Sequence, residues 1–158
     1  MSNFRDLEVF RLALGLMRAV YAETEAFPRH ELYGLTAQMR RASVGVLSHV
    51  AEGEGRLTVG EWRHMLSEAR GSLFEVEAQA IAARVLGYLP EAAYERIERR
   101  VRRVGSALIG LIRYVQNQER TKQSRNPVTP KPRDLSEAQQ ATSENQPAPP
   151  PPRPAPPP

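Results

Sequence analysis

Arginine is the residue whose spacing in this chain could do chemistry. Arg96, Arg100 and Arg103 follow one another at spacings of four and three, which places them on one face of a helix. Guanidinium groups in such a row can contact several phosphates, giving sequence-independent, salt-sensitive affinity for RNA or DNA. The alternative is an ordinary solvated helix face. No aromatic residue interleaves the three arginines, so base stacking is not indicated.

A second basic pair, Arg40-Arg41, lies near the middle of a predicted helix with no acidic residue three or four positions away. Neither side chain can therefore form an ion pair within its own helix. The pair could contact phosphate or form a charged layer at a subunit interface. The alternative is pairing with Glu75 or Glu77 of another helix, within one chain or between copies.

Several further residues indicate packing rather than ligand binding. Arg70 also lacks an acidic neighbour on its own helix, and Gly71 beside it permits close approach by a second helix or a ligand backbone. We interpret six residues as a structural or interface motif: Arg70, Gly71, Glu75, Glu77, Gly53 and Gly55.

Patterns for catalysis or metal binding are weak. The chain has no cysteine, which excludes thiolate ligands and disulfides. Glu61-x-x-His64 is one half of a di-iron ligand pattern, but such sites need a second motif and two further glutamates. His30 and His49 are not placed to complete a catalytic set. We therefore predict a protein that is not an enzyme and that has no catalytic residue, cofactor or metal.

The elements that must position these arginines are helices. Apolar residues recur at spacings of three and four along four stretches. Their members are Leu7, Phe10, Leu14, Met17, Tyr21 and Thr24, widened by Val9, Ala13, Leu16 and Val20; Leu35, Met39, Ala42, Val46, Val50 and Gly53; Val59, Trp62, Leu66, Ala69, Leu73, Val76, Ala80 and Ala83; and Tyr94, Ile97, Val101, Val104, Leu108, Leu111 and Val115. Short connections between such helices predict an all-α, up-down-up-down four-helix bundle.

Local signals mark the helix ends. Thr58-x-x-Glu61 fits a capping box that begins the third helix, and Gly87 fits the position after its end. Gly53 and Gly55 are expected to supply positive φ in the turn before Thr58. Gly45, inside the second helix, suggests close approach of a neighbouring helix.

Composition divides the 158-residue chain into two parts. Of the 14 prolines, all except Pro28 and Pro90 lie after residue 126. We predict a bundle domain over 1–118 and a disordered, proline-rich tail over 119–158, with polyproline II character near its end. The net charge of +4 permits anionic partners. Without an apolar run for a signal peptide or membrane span, we expect a cytoplasmic protein.

Separated motifs over about residues 4–117 resemble the bacterial family of four-helix-bundle proteins encoded in 23S rRNA intervening sequences. The accessory variability protein of diversity-generating retroelements is similar to this family. The motifs are Phe4-x-Asp6-Leu7-x-Val9, Phe27-Pro28-x-x-Glu31-x-Tyr33-Gly34-Leu35-x-x-Gln38, Arg40-Arg41-Ala42, Ala51-Glu52-Gly53-x-Gly55-Arg56 and Ala69-Arg70-Gly71-Ser72-Leu73-x-Glu75-x-Glu77.

The resemblance implies a homo-oligomer, expected to be a pentamer. It also implies nucleic-acid binding through a basic surface, with a reverse transcriptase or another nucleic-acid enzyme as a possible partner. The second hypothesis is a protein-interaction scaffold that does not bind nucleic acid. In that case the arginines pair with glutamates across subunit interfaces, and the tail recruits a partner.

Overall fold

The computed structural model describes residues 3–125 of the chain, with side chains up to residue 121. Four helices run over Glu8–Thr24 (α1), Leu35–Glu54 (α2), Val59–Val85 (α3) and Glu91–Arg125 (α4). Each helix packs against the next along the chain, and α1 packs against α4. The predicted up-down-up-down four-helix bundle is thus confirmed. None of the described helices is long and apolar enough to cross a bilayer.

The core consists of one apolar stripe from each helix, as the spacing predicts. In α3 and α4, Leu66, Leu73, Val76, Val104 and Leu108 are almost fully buried. Burial of four such stripes against one another is what holds the helices together, since most helical stability in proteins comes from packing of the apolar face rather than from helix propensity.

In α1 the centre of the buried stripe differs from the prediction. The residues expected only to widen the stripe form its centre, because Val9, Ala13 and Leu16 are buried. Leu14 and Tyr21, expected at the centre, are 41% and 39% exposed. The predicted stripe therefore lies too far toward α2. Leu14 and Tyr21 are at the edge of the buried face rather than at its centre.

The corners after α1 and α3 are set by specific local bonds. Glu31 Oε2 accepts a hydrogen bond from the Leu35 amide at 2.9 Å and so caps α2. After α3, Gly87 has φ +76, and the Gly87 and Tyr88 amides donate to the carbonyls of Arg84 and Ala83. This is the Schellman pattern, so the predicted role of Gly87 is confirmed.

The expectation of positive φ at Gly53 and Gly55 is wrong. Gly53 is part of α2, and Gly55 has φ −80. Their function is steric at Gly53, where a Cβ atom would lie 2.6 Å from Cδ1 of Trp62. A Cβ atom at Gly45 would lie 2.9 Å from Ser72 Oγ, so α2 and α3 approach closely there too, as predicted.

The last helix runs past Gln118, where the apolar pattern ends, and continues to Arg125. Arg63 of α3 pairs with Glu119 at 3.1 Å, and Thr121 Oγ1 donates to the Asn117 carbonyl. These polar contacts stabilise the part of α4 after Gln118, which the apolar spacing does not predict. The remainder of the predicted tail, 126–158, lies outside the described residues.

Candidate nucleic-acid interface

The predicted arginine row lies along the seam between α4 and α1. It continues at the same spacing through Ala107 and Gly110 to Tyr114. At its far end the row lines a cavity of about 690 Å³, together with Leu7 and Leu12 of α1. We call this surface the α1/α4 groove and define it by Arg96, Arg100, Arg103, Ala107, Gly110 and Tyr114.

One member of the row is neutralised within the chain. Arg96 Nε donates to Glu23 Oε1 of α1 at 2.9 Å. This hydrogen bond, with the charge of the same carboxylate, raises the pKa of Arg96 above its ordinary value, so the guanidinium stays protonated. The main contact of Arg96 therefore joins α4 to the end of α1.

The other two arginines keep their charge available. Arg100 is half-buried and donates from Nη1 to the Arg96 carbonyl at 3.1 Å, which fixes its orientation. Arg103 is exposed and lines the cavity. Among residues 3–121 neither guanidinium has a salt-bridge partner, although the Glu8 carboxylate lies on the cavity wall.

The neighbouring arginines of α4 show why this pair stands out. Arg99 pairs with Glu95 at 3.5 Å, and Arg102 pairs with Glu98 at 2.7 Å. The hydrogen bond that Arg102 donates to Glu98 raises the pKa of Arg102, and the charge of Glu77 has a smaller effect in the same direction. Both are i,i+4 ion pairs, as the spacing predicts, and although Arg102 also lines the cavity its charge is already paired.

Sequence reasoning missed Tyr114. The residue is 55% exposed and stands at the cavity end of the groove, two helical turns beyond Ala107. An exposed phenol ring in the same groove as cationic side chains offers a platform on which a base can stack. The signal was present, because Tyr114 continues the four-three spacing that begins at Arg96, but small residues separate it from the arginines.

Arg40 and Arg41 do not join this surface. Arg40 Nε donates to Thr24 Oγ1 at 2.9 Å, and its guanidinium lies 4.8 Å from the ring centre of Tyr21. Arg41 is exposed and donates to the side-chain carbonyl of Gln38. In the part of the chain that the structure describes, neither pairs with Glu75 or Glu77, and α2 does not contact α4.

The remaining motif residues have separate local positions. Arg70 is exposed, with its guanidinium 5.2 Å from the Phe74 ring centre, and Gly71 has open space where a Cβ would lie. Glu75 is exposed and Glu77 half-buried. Gly53 receives Trp62, while the Gly55 amide donates to the carbonyls at the end of α2.

The Glu61-x-x-His64 pattern is used for helix capping. Thr58 Oγ1 and Glu61 form the predicted reciprocal capping box at the start of α3. The hydrogen bond from the Thr58 side chain lowers the pKa of Glu61, so its carboxylate is ionised and engaged. Over the described residues, no three His, Asp or Glu side chains come together as a metal-ligand set.

Comparison with known proteins places the chain in one family. The sequence model described as "23S rRNA-intervening sequence protein" matches residues 5–110, which contain α1, α2, α3 and the first half of α4. No curated protein matches the chain.

Proposed function

The chain belongs to the family of 23S rRNA-intervening sequence proteins, and from that premise we propose that it binds RNA or DNA without sequence specificity. It does so as a non-enzymatic homo-oligomer, a pentamer by resemblance. Its role is accessory: the bundle holds a strand for a nucleic-acid enzyme such as a reverse transcriptase.

The observation that carries this proposal is the pair Arg100 and Arg103 in the α1/α4 groove. Both are cationic and on one side of α4, and neither forms a salt bridge within the described chain. Two guanidinium groups directed at one groove suit phosphate oxygens, which they can bind bidentately.

The shape of the groove favours a single strand. The cavity has an apolar floor formed by Leu7, Leu12 and Leu111, and Tyr114 closes one end. A single strand can place its phosphates on the arginines and an unstacked base against the tyrosine. A duplex keeps its bases stacked inside and could use only the phosphate contacts.

The test is a salt titration of the full chain against a labelled single-stranded RNA and a duplex DNA. The variant is Arg100→Glu/Arg103→Glu, which spares Arg96 because reversing it would set two carboxylates against each other. If each arginine contacts one phosphate, the slope of log affinity against log salt falls by about 2. The wild type should prefer the single strand.

The matched control is Arg113→Glu/Arg120→Glu, on the same helix, with the same change in charge and with no salt bridge lost among the described residues. Both residues are exposed, and neither lines the cavity. Equal loss of affinity in the two variants would show that net charge, not the groove, governs binding. A wild-type protein that fails to bind at low salt would overturn the proposal.

A second candidate function, a protein-interaction scaffold without nucleic-acid binding, has its own supporting observations. Arg96 is already paired with a carboxylate, here within its own chain, which leaves one cation fewer for phosphate. Large apolar side chains are also exposed on α3, including Phe74 at 52% and Val85 at 80%. Absence of binding to any nucleic acid, with an intact oligomer, would select this function.

A further inference from the structure

Helix α3 has a second heptad stripe on the side opposite the core. Its members recur at spacings of four and three, and the last four are apolar: Ser67, Gly71, Phe74, Ala78, Ile81 and Val85. We call this the outward α3 face. Phe74, Ile81 and Val85 are 52%, 46% and 80% exposed, and Gly71 has open space above it.

Such a stripe is unusual on a helix that already buries one apolar side. A helix that is apolar on two opposite sides is typical of one packed between two neighbours, and here only the inner side is covered. Three large side chains in register form a contiguous apolar surface of the kind that marks protein contacts.

Acidic residues border this face along one edge. Glu68 and Glu75 lie seven residues apart and are both exposed. Within residues 3–121 neither takes part in a salt bridge, whereas all four glutamates of α4 do. Two unpaired carboxylates beside an apolar seam suit a partner surface that carries cations at a matching distance.

The complementary surface is present on the same chain, along α1. Arg11 and Arg18 are exposed, lie seven residues apart and form no salt bridge in the described part of the chain. Gly15 between them has no atom within 4 Å of a Cβ position, and Leu14 beside it is 41% exposed. We call this the outward α1 face.

We infer that the outward α3 face docks on the outward α1 face of a second copy of this chain. Glu68 and Glu75 then meet Arg11 and Arg18 respectively, Phe74 packs beside Leu14 where Gly15 leaves room, and Ile81 packs two helical turns farther along α1. Seven helical residues span about 10.5 Å in both partners, so both ion pairs form together.

This arrangement makes the contact heterologous, since two different faces meet. Helices α1 and α3 lie across the bundle diagonal without contacting each other, so every copy has one face of each kind to offer. Repetition of such a contact closes into a ring or continues as a filament. The inference rests on the proposed function only for the existence of a homo-oligomer, and it specifies the surfaces used.

The first test is Phe74→Glu/Ile81→Glu in the full chain, with particle mass measured by light scattering and helicity by circular dichroism. The mass should fall to that of one chain, 17.7 kDa, with helicity unchanged because both side chains are outside the core. The matched control is Tyr33→Glu/Leu57→Glu at 90% and 99% exposed positions between helices, which should keep the wild-type mass.

The second test exchanges the charges of the two faces, to show whether the outward α3 face binds the outward α1 face of another copy. Arg11→Glu/Arg18→Glu and Glu68→Arg/Glu75→Arg should each reduce the particle to single chains, and the combined fourfold variant should restore the mass. Failure of the combined variant to restore it would overturn the pairing of these faces, as would retention of the mass by Phe74→Glu/Ile81→Glu. A wild-type monomer at all concentrations would overturn the docking altogether.

Nucleic-acid binding is measured separately from mass. A ring that loses mass on these substitutions but never binds a strand would leave this inference standing and reject the proposed function. Binding of nucleic acid by a wild-type protein that remains a single chain would reject this inference and leave nucleic-acid binding standing.

Discussion

At the scale of single residues, arginines with the same local sequence context occupy different environments. Arg40 is fixed against Thr24 and Tyr21, and Arg96 is paired with Glu23. Arg103 lies in an open groove and has no carboxylate partner among residues 3–121. Arg40 and Arg41 looked equivalent by their lack of local acids, yet only Arg40 is held by another helix. The difference comes from which helix lies opposite each side chain.

The Glu23–Arg96 pair gives a prediction at this scale. Glu23→Ala should release Arg96 into the groove and so strengthen binding of single-stranded RNA at low salt. One added phosphate contact should steepen the salt slope by about 1. Because the pair is exposed to solvent, the free energy of unfolding should change little.

The control for that variant is Glu91→Ala. Glu91 pairs with Arg84 at 2.7 Å, and the exchange removes the same charge from another exposed ion pair. Arg84 is not part of the α1/α4 groove, so affinity and salt slope should stay at their wild-type values. An equal rise in both variants would attribute the effect to net charge.

At the scale of elements, the positions of helices depend on a few small residues. Gly53 lets Trp62 of α3 lie against the end of α2, and Gly45 gives Ser72 the same access farther along. Glycine inside a helix is costly by itself, about 1 kcal/mol relative to alanine. Its presence at these two positions is explained by the contact between α2 and α3.

Gly53→Ala should therefore destabilise the fold. A Cβ atom at this position would lie 2.6 Å from Trp62 Cδ1 and 3.1 Å from Met65 Cβ, so the indole must move. We expect a loss of about 1–3 kcal/mol in the free energy of unfolding, measured in urea, despite the better helix propensity of alanine.

Gly60→Ala is the matched exchange. Gly60 lies in the first turn of α3, and no described atom is within 4 Å of its Cβ position. The free energy of unfolding of the Gly60→Ala protein should therefore rise, by up to about 1 kcal/mol. A Gly53→Ala protein as stable as the wild type would show that the contact with Trp62 adjusts without cost.

At the scale of the whole molecule, a net charge of +4 is too small to act as a general attraction for nucleic acid. The charge must be concentrated and repeated to be effective. The α1/α4 groove concentrates it in each chain, and assembly through the outward α1 and α3 faces would repeat the groove around one particle.

Repetition predicts a dependence on strand length. A strand long enough to reach several grooves should bind the wild-type particle about 10²–10⁴ times more tightly than a strand that fills one groove. Phe74→Glu/Ile81→Glu should abolish that difference and leave the affinity for the short strand unchanged. Fluorescence anisotropy with two strand lengths measures both quantities.

Tyr33→Glu/Leu57→Glu again serves as the control of equal charge, and it should retain the length dependence. If Phe74→Glu/Ile81→Glu still bound the longer strand more tightly, the preference for length would not come from grooves repeated around one particle.

The apolar spacing of the four helices, the Thr58–Glu61 capping box and Gly87 determined the bundle, because these signals act over three or four residues and are visible in any helical stretch. The sequence also placed Arg96, Arg100 and Arg103 on one face. The tertiary structure decided what that face meets: Glu23 is 73 residues away from Arg96 in the chain. It also joined the arginine row to Tyr114 in one groove with α1.

The same distinction explains the errors. The buried side of α1 could not be chosen from its own residues, since both Leu14 and Leu16 are apolar and only packing against α4 and α2 selects between them. Gly53 was assigned to a turn because glycine permits positive φ, whereas its contact with Trp62 requires the absence of a Cβ. Periodicity determines that a helix has an apolar face. Which atoms cover that face, and which charges stay unpaired, depends on helices brought together from distant parts of the chain.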